Sequence, residues 1–381
     1  MQYLVFEDEK VSGMKPLVDF KPVYGLYTGF RTLAEKLEAG VPEGVRLSWH
    51  MREYLASVHR ERYPDRMINR IDDDDVLLVN GRLVCDRALS SVMKGAELEP
   101  GCALVQNGNL LFARMRRDRL PGVRDGRLPD LFDTRSLLPL LSQSERSGFR
   151  ILEHVWDVIA FHADAMELDM ASLRNGVLDG DIHPSAVVVN PSNTVVAEGA
   201  VVKAGAVLDA REGFVYVGSG AVVEPQAVVM NMVYLAPHSR VKAGARVYSN
   251  VFVGTAAKVG GEVEDSLVEP FANKQHDGFL GHSYISSWCN LGAGTNTSDL
   301  KNNYSSVNLV IDGRSVSTGL QFLGLIMGEH AKCSINSMFN TGTVVGTSAN
   351  VFGGGFSPKE VLSFTWGSSA EGFQKIGRAH V

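Results

Sequence analysis

The sequence predicts two unlike domains, an α/β domain over residues 1–165 and a left-handed parallel β-helix over residues 181–370, joined by a linker helix at 166–180. Three observations carry this. Aliphatic residues recur every six positions through the second half. The first half alternates short apolar runs with stretches of helical spacing. The composition changes at Ile182, after which Val, Ala and Gly displace the helix formers.

In the first half, YLVFED predicts a short strand ending in acids. GLYTGFRTLAEKLEAG spaces its apolar residues for a helix and stops at Gly40, a residue type that commonly closes one. DDDDVLLVNG predicts a solvated acidic turn running into a buried strand that ends at Asn80-Gly81. CALVQNGNLLFARM predicts a hairpin turning at Asn107-Gly108. From 135 to 175 the chain is predicted as helix and leads into the second half. Such a mixture is an α/β pattern.

In the second half, Val217, Val223, Val229, Leu235, Val241, Val247, Val253 and Val259 follow one another at intervals of six. Ile182 and Val188 begin the same beat; Val196, Val202 and Leu208 hold it in a second register; Met327, Cys333, Phe339, Val345 and Val351 resume it. A period of six fits neither one strand nor one helix. It fits short strands joined by tight turns in a three-sided coil, each aliphatic pointing to the axis. Small residues two positions before the next aliphatic, as in VAEGAV and VKAGAV, let the backbone turn the corners.

Across 381 residues, apolar types make up 45% and charged types 21%, an ordinary globular balance. The net charge is −6 and the Lys and Arg are scattered, which argues against nucleic acid as a partner. Cys85, Cys102, Cys289 and Cys333 lie far apart with no CxxC, so neither a zinc site nor a disulfide framework is indicated. No secretory start and no apolar run of about 20 residues is present, so no membrane is expected and a cytoplasmic location is. The ending IGRAHV, residues 376–381, reads as translated sequencing adapter, with the natural C-terminus missing.

A β-helix has flat outer faces and no internal pocket, so its chemistry is expected outside, in the cleft between neighbouring coils of a trimer. Residues 273–304, NKQHDGFLGHSYISSWCNLGAGTNTSDLKNNY, interrupt the beat, and 304–326 form a second excursion. Lys274, His276, Phe279, Gly281 and Asn290-Leu291-Gly292-Ala293-Gly294-Thr295 resemble the acetyltransferase half of the GlmU-like family. That family comprises bifunctional N-acetylglucosamine-1-phosphate uridyltransferase/glucosamine-1-phosphate N-acetyltransferases; the chain is closer to the GlmU-like sugar nucleotidyltransferases of Bacteroidetes and related bacteria. Residues 327–356 also resemble that group's later coils.

The resemblance implies an acetyl-CoA-dependent N-acetyltransferase acting on an amino-sugar phosphate, or a nucleotide-linked amino sugar, as a homotrimer. His276 falls on the catalytic base and Glu262 on the carboxylate that orients it. A protonated sugar amine must lose a proton before it attacks a thioester, which an imidazole near pKa ~6.5 can take. Asn290 falls where the acceptor's amine or nascent amide is held, and Lys242, with Arg240 as its neighbour, where the sugar phosphate is held. Lys274 is a further substrate contact, as is Asp299, with Asn303-Tyr304 competing for that position. Ala293 and Gly294 fall on the pantetheine contact, with Ser334 and Thr347 as coenzyme contacts from later coils. There are departures: Glu264 stands where a second phosphate-binding lysine belongs, so Lys258 or Lys274 must substitute or the acceptor differs, and Phe279 replaces a tyrosine. His282 is read as structural, Trp288 and Cys289 as fillers of turn and core.

The resemblance also implies a nucleotidyltransferase-like N-terminal domain, through KPLVDFKPVYGLYTGFRTLAEKL. FEDEKVSGMKPL carries a single glycine where a phosphate loop is expected, and Asn80-Gly81-Arg82 stands where a metal-binding aspartate is expected. Asp86 is a substitute, and Arg31 and Lys36 offer positive charge. Mg²⁺ is expected only if this domain is active. Three rivals stay open: a bifunctional enzyme that also makes UDP-N-acetylglucosamine; a γ-carbonic-anhydrase-like metalloenzyme using His276 and His282 with His330 or His238; and a non-catalytic sugar-nucleotide sensor.

Overall fold

The computed structural model describes residues 1–84, 98–123, 127–173 and 176–376. The chain forms two units: Met1–Leu26 with Arg31–Val155, and Tyr27–Phe30 with everything from Trp156 onward. The division therefore falls at Val155 rather than at 165, and a four-residue segment of the first half belongs to the second unit. Cys85 and Asp86, like residues 377–381, lie outside the described residues.

The first unit is built on strands β1 (Gln2–Phe6), β2 (Arg46–Trp49), β3 (Met67–Ile68), β4 (Asp75–Asn80), β5 (Cys102–Gln106), β6 (Asn109–Arg116) and β7 (Ser142–Glu145). They form one sheet in the order β7-β5-β6-β4-β1-β2-β3. β1 is central and wholly buried, with β4 and β2 parallel on either side of it. A strand covered on both faces must be apolar throughout, which is why YLVF and VLLV read as unbroken runs. β5 and β6 make the predicted hairpin, with Asn107 at φ 48° and Gly108 at φ 70°, the left-handed pair that a two-residue turn requires.

Helix α1 (Leu33–Gly40) is shorter than its pattern. It starts where the Thr32 hydroxyl accepts the Glu35 amide and the Glu35 carboxylate accepts the Thr32 amide, a reciprocal cap that outweighs the apolar spacing before it. α2 spans Glu53–Arg62. The continuous helix expected over 135–175 does not form. Pro139, which lacks an amide hydrogen, and Gly148, at φ 91°, interrupt it, and the exposed SQSE segment becomes edge strand β7 against β5. Among the described residues the span keeps a short helical turn at Thr134–Leu137, α3 (Asp157–Ala160) and α4 (His162–Met170). The linker helix is likewise shorter than expected, since a strand at Val177–Leu178 already opens the β-helix.

In the second unit, three sheets of ten, eleven and six strands run side by side among the described residues. Apart from one antiparallel strand at the C-terminal end of the second sheet, their strands are parallel, and the chain visits the faces in rotation: the left-handed β-helix. Val217, Leu235 and Val253 are register partners on the first face, eighteen residues apart, so one coil is three hexads. Every member of the Val217–Val259 series is fully buried in one continuous core. The change of register after Leu208 is a longer coil, in which Val196 pairs with Val217. The excursion is longer still: Ile285 pairs directly with Met327, and the intervening chain carries a small hairpin, Asn308–Ile311 with Arg314–Ser317.

The first face has an outward column that the six-residue beat does not announce: Tyr216, Tyr234, Phe252, Leu267 and Tyr284. Phe30 stacks on Tyr234 at 4.0 Å and Tyr27 on Phe252 at 4.8 Å. The Tyr27 amide donates to the Tyr284 hydroxyl, and the Gly29 amide donates to His162 Nδ1, leaving Nε2–H for the Asn250 carbonyl. Among the described residues, no helix is long and apolar enough to cross a membrane.

Leu235→Ala, in the axis, is expected to lower unfolding free energy by about 2–5 kcal/mol in denaturant titration. Leu362→Ala, 61% exposed on the same unit, should stay within about 0.5 kcal/mol of wild type.

Candidate active site

The interrupted stretch crosses two faces. Asn273–Lys274 lies on the second face, residues 275–278 turn the corner, and Phe279–Gly281 is the last strand of the third face. His276 stands exposed on that corner. The turn has no slack. Gly278 sits at φ 119°, and a Cβ there would overlap the Thr295 carbonyl of the next coil.

Lys274 is not on the surface. Its register partner is Val259, an axial residue, and its side chain is fully buried. The Nζ donates to the Gly260 carbonyl at 3.1 Å and to the His276 carbonyl. Burial lowers the ammonium's pKa to about 8, against weaker support from Asp277 and Cys333. Lys274 therefore cannot meet a substrate from this position. The alternation of the strand, with Asn273 outward and Lys274 inward, is the reason.

Glu262 does not orient His276. Its carboxylate accepts from the Tyr248 hydroxyl at 2.6 Å and from Arg246 at 3.1 Å, which together hold it below the usual glutamate range. Arg240 and Lys242 both turn to Glu224, at 2.8 and 3.5 Å, and share that one carboxylate. Asn290 is exposed on the second face, in the outward column between Asn273 and Lys332. The Ala293 carbonyl is taken by the Asn336 amide, and a Cβ at Gly294 would overlap the Asn336 side chain. The Gly-Ala-Gly thus admits the next coil. Thr347 is fully buried, so it offers no coenzyme contact on this chain's surface; Ser334 is half-buried beside Ser337.

The imidazole–carboxylate pair that does form joins two other residues. His282 Nδ1 lies 2.8 Å from Asp299 Oδ2, and Nε2 lies 3.8 Å from Asp265. Phe322, from the excursion, stacks on the ring at 4.9 Å. Burial would push this imidazole down, but the Asp299 hydrogen bond and the charges of Asp265 and Glu264 outweigh it and hold the pKa above the ordinary histidine value. Burial and the Asp299 charge raise Glu264, and burial raises Asp265 despite the Asn250 hydrogen bond. His282 is thus not merely structural filler, and Asp299 is committed to it. One donor atom each from Glu264, His282 and Asp299 lies within 4.8 Å of the others, a set of one histidine and two carboxylates. A three-histidine cluster is not formed among the described residues. The pair was legible in one respect: Asp299 follows His282 by seventeen residues, about one coil, which stacks them.

Cys289 fills the core as expected. Trp288 sits in its turn but is half exposed, stacked between Phe271 at 4.6 Å and His330 at 6.1 Å, all three at left-handed φ.

In the first unit, acids and arginines neutralise one another. Glu7 accepts from Arg52, and Asp8 forms a fully buried bidentate pair with Arg82, which Asn80 joins. Lys36 is buried in α1. The place expected for a metal-binding aspartate is therefore a closed ion-pair network.

Residues 3–177 match a family described as sugar nucleotidyl transferase. The match covers 175 of the 381 residues, just under half of the chain. Similar curated proteins are a bifunctional sugar-1-phosphate nucleotidylyltransferase/acetyltransferase of Sulfurisphaera tokodaii, 28% identical over 26% of this chain and 25% of the relative, and a bifunctional GlmU of Methanocaldococcus jannaschii, 31% identical over 26% and 23%. The chain spans about a quarter of the length of the curated relatives it matches. A UDP-N-acetylglucosamine acyltransferase from Campylobacter jejuni is similar at 18% identity over 51% of this chain and 75% of that one, with a TM-score of 0.26, too slight a likeness to argue from. The GlmU-like resemblance stands. The sugar nucleotidyl transferase match runs past Val155 into the first β-helix strand, so the family's boundary and the structural division differ by about twenty residues.

Glu264, Asp265 and His282 all hold their protons more tightly folded than unfolded, so their contribution to stability is present at low pH and lost as pH rises through the raised folded values. Glu264→Gln should therefore raise stability at pH 8 by about 0.5 kcal/mol and leave it unchanged near pH 4, read by urea denaturation.

Proposed function

We propose that the protein is an acetyl-CoA-dependent N-acetyltransferase whose acceptor is an amino sugar, phosphorylated or nucleotide-linked, and that His276 is its base. One observation carries the reading: an exposed imidazole stands on a tight corner whose own carbonyl accepts from the buried Lys274 ammonium and whose Gly278 abuts the Thr295 carbonyl of the next coil. A base fixed at an outer corner needs no rearrangement to meet an amine that arrives from solvent. Asn290, exposed one coil on, is the group we assign to the acceptor's amide. The enzyme acts as a cytoplasmic homotrimer, since a flat outer face offers half a cleft and a neighbouring copy supplies the rest.

Two expectations change. Arg240 and Lys242 share the single carboxylate of Glu224, which leaves the three groups one net positive charge, and Glu264 adds negative charge on the third face, so a phosphate must compete with Glu224 for its cations. The sugar nucleotidyl transferase domain is assigned a sugar-nucleotide-binding role of its own. Its ion-paired interior disfavours the bifunctional reading, in which Mg²⁺ and UTP would be required.

A second reading is favoured by the 2.8 Å His282–Asp299 hydrogen bond, which is a base–orienter pair. The test is thiol release from acetyl-CoA with glucosamine 1-phosphate for wild type, His276→Ala and His282→Ala. Loss of about 10²-fold or more in His276→Ala alone establishes His276 as base. The same loss confined to His282→Ala transfers the role, and activity should then rise with pH through a midpoint above the ordinary histidine value. Pyrophosphate release from UTP and a sugar 1-phosphate would restore the bifunctional reading.

A further inference from the structure

Among the described charged groups of the β-helix, Lys274 sits in the axis where an aliphatic belongs. Its strand neighbours along the axis are hydrophobic: Val259 one coil back, and Leu291 and Cys333 in later coils of the same core. An ammonium in such a place costs solvation that two carbonyl hydrogen bonds offset only in part. A methionine would fill the same space at no such cost. The carbonyls it binds are those of Gly260 and His276. One belongs to the corner of the preceding coil, the other to the residue whose imidazole faces solvent.

We propose that Lys274 is a positioning residue for His276: its ammonium, enclosed in the β-helix axis, ties the His276 carbonyl to the Gly260 corner and so fixes the turn that presents the imidazole. This rests on the reading of His276 as base. At its far end the turn is held by Gly278 against the Thr295 carbonyl of the next coil, and Lys274 supplies the tie at the near end. Lys274 never touches substrate; it acts through the backbone of the residue that does. The titratable groups facing it are Asp277, on its own turn, and the Cys333 thiol, on a later coil of the same face, with the Thr295 hydroxyl 3.4 Å from the Cys333 sulfur. Its pKa of about 8 follows from the same enclosure.

Lys274→Met keeps the stem in the axis and removes the donors. In the full chain, amide hydrogen exchange over residues 275–278 should accelerate about tenfold while the axial strands stay protected. The thermal midpoint at pH 7 should equal or exceed that of wild type, and the difference should shrink by pH 10, where wild-type Lys274 is already neutral. Against acetyl-CoA and glucosamine 1-phosphate, kcat should fall about ten- to a hundredfold with KM for acetyl-CoA within about twofold. Cys333→Ala, which loosens the axis without touching the tie, should lower the midpoint and leave kcat alone.

Unchanged exchange in the turn overturns the proposal. So does a midpoint that falls together with kcat, which marks a merely structural lysine, and so does an unaltered kcat in a chain whose turn has loosened. His276→Ala measured alongside separates the two ideas. If it is inert while Lys274→Met is unimpaired, the positioning role fails alone. If it is as active as wild type, the base assignment fails and takes the catalytic half of the proposal with it.

Discussion

The second unit depends on one constraint: each face of each coil sends a large aliphatic, with smaller apolar residues beside it, to a common buried axis. Eighteen residues in a regular turn and parallel register follow from it together. A β-helix cannot vary its interior much, because every inward residue is packed by its equivalents above and below. Its freedom lies in the corners and in the outward columns. Each column has its own chemistry. The first is aromatic and covered by Tyr27–Phe30. The second is basic and amide-rich, through Arg240, Lys258, Asn273, Asn290 and Lys332. The third ends in acids, Glu262 and Glu264, beside Phe279 and Gly281.

That division explains what could be read from the sequence. The beat of six identified the axis because the axis is the most constrained part. The hairpin at Asn107-Gly108 was legible for a similar reason, since few residues tolerate two successive left-handed positions. Lys274 was misread because a lysine near a histidine suggests a binding group. Only the alternation of a two-residue strand tells that it points inward. Glu262 was paired with His276 by resemblance, but its carboxylate already serves Tyr248 and Arg246. The aromatic column did have a signal, in VYV, VYL and VFV at one-coil spacing. What covers it was not legible, because Tyr27–Phe30 is distant in sequence and was absorbed into a helix that starts only at Leu33.

The two histidines answer different physical needs. His276 is exposed and its backbone is fixed, which suits a group that must meet a diffusing partner. His282 is half-buried against Phe322, paired with Asp299 and surrounded by acids that hold its proton. A histidine with a raised pKa is a better base once deprotonated, but at neutral pH a smaller fraction of it is free to accept. The surrounding carboxylates therefore strengthen His282 as a base and reduce its availability together. His276 stands exposed on its corner instead, with no carboxylate hydrogen-bonded to its ring among the described residues.

The first unit poses the complementary problem. Phosphate chemistry requires cations whose charge is not already spent on the protein's own carboxylates. Arg52 and Arg82 are both buried and both committed, to Glu7 and Asp8. Breaking either pair would leave an uncompensated charge in a dry interior, at a cost of about 3–5 kcal/mol. These arginines are consequently fixed as structure, whatever the domain binds. In this unit the acids and arginines suited to phosphate chemistry are instead the groups that hold the sheet and its flanking segments together.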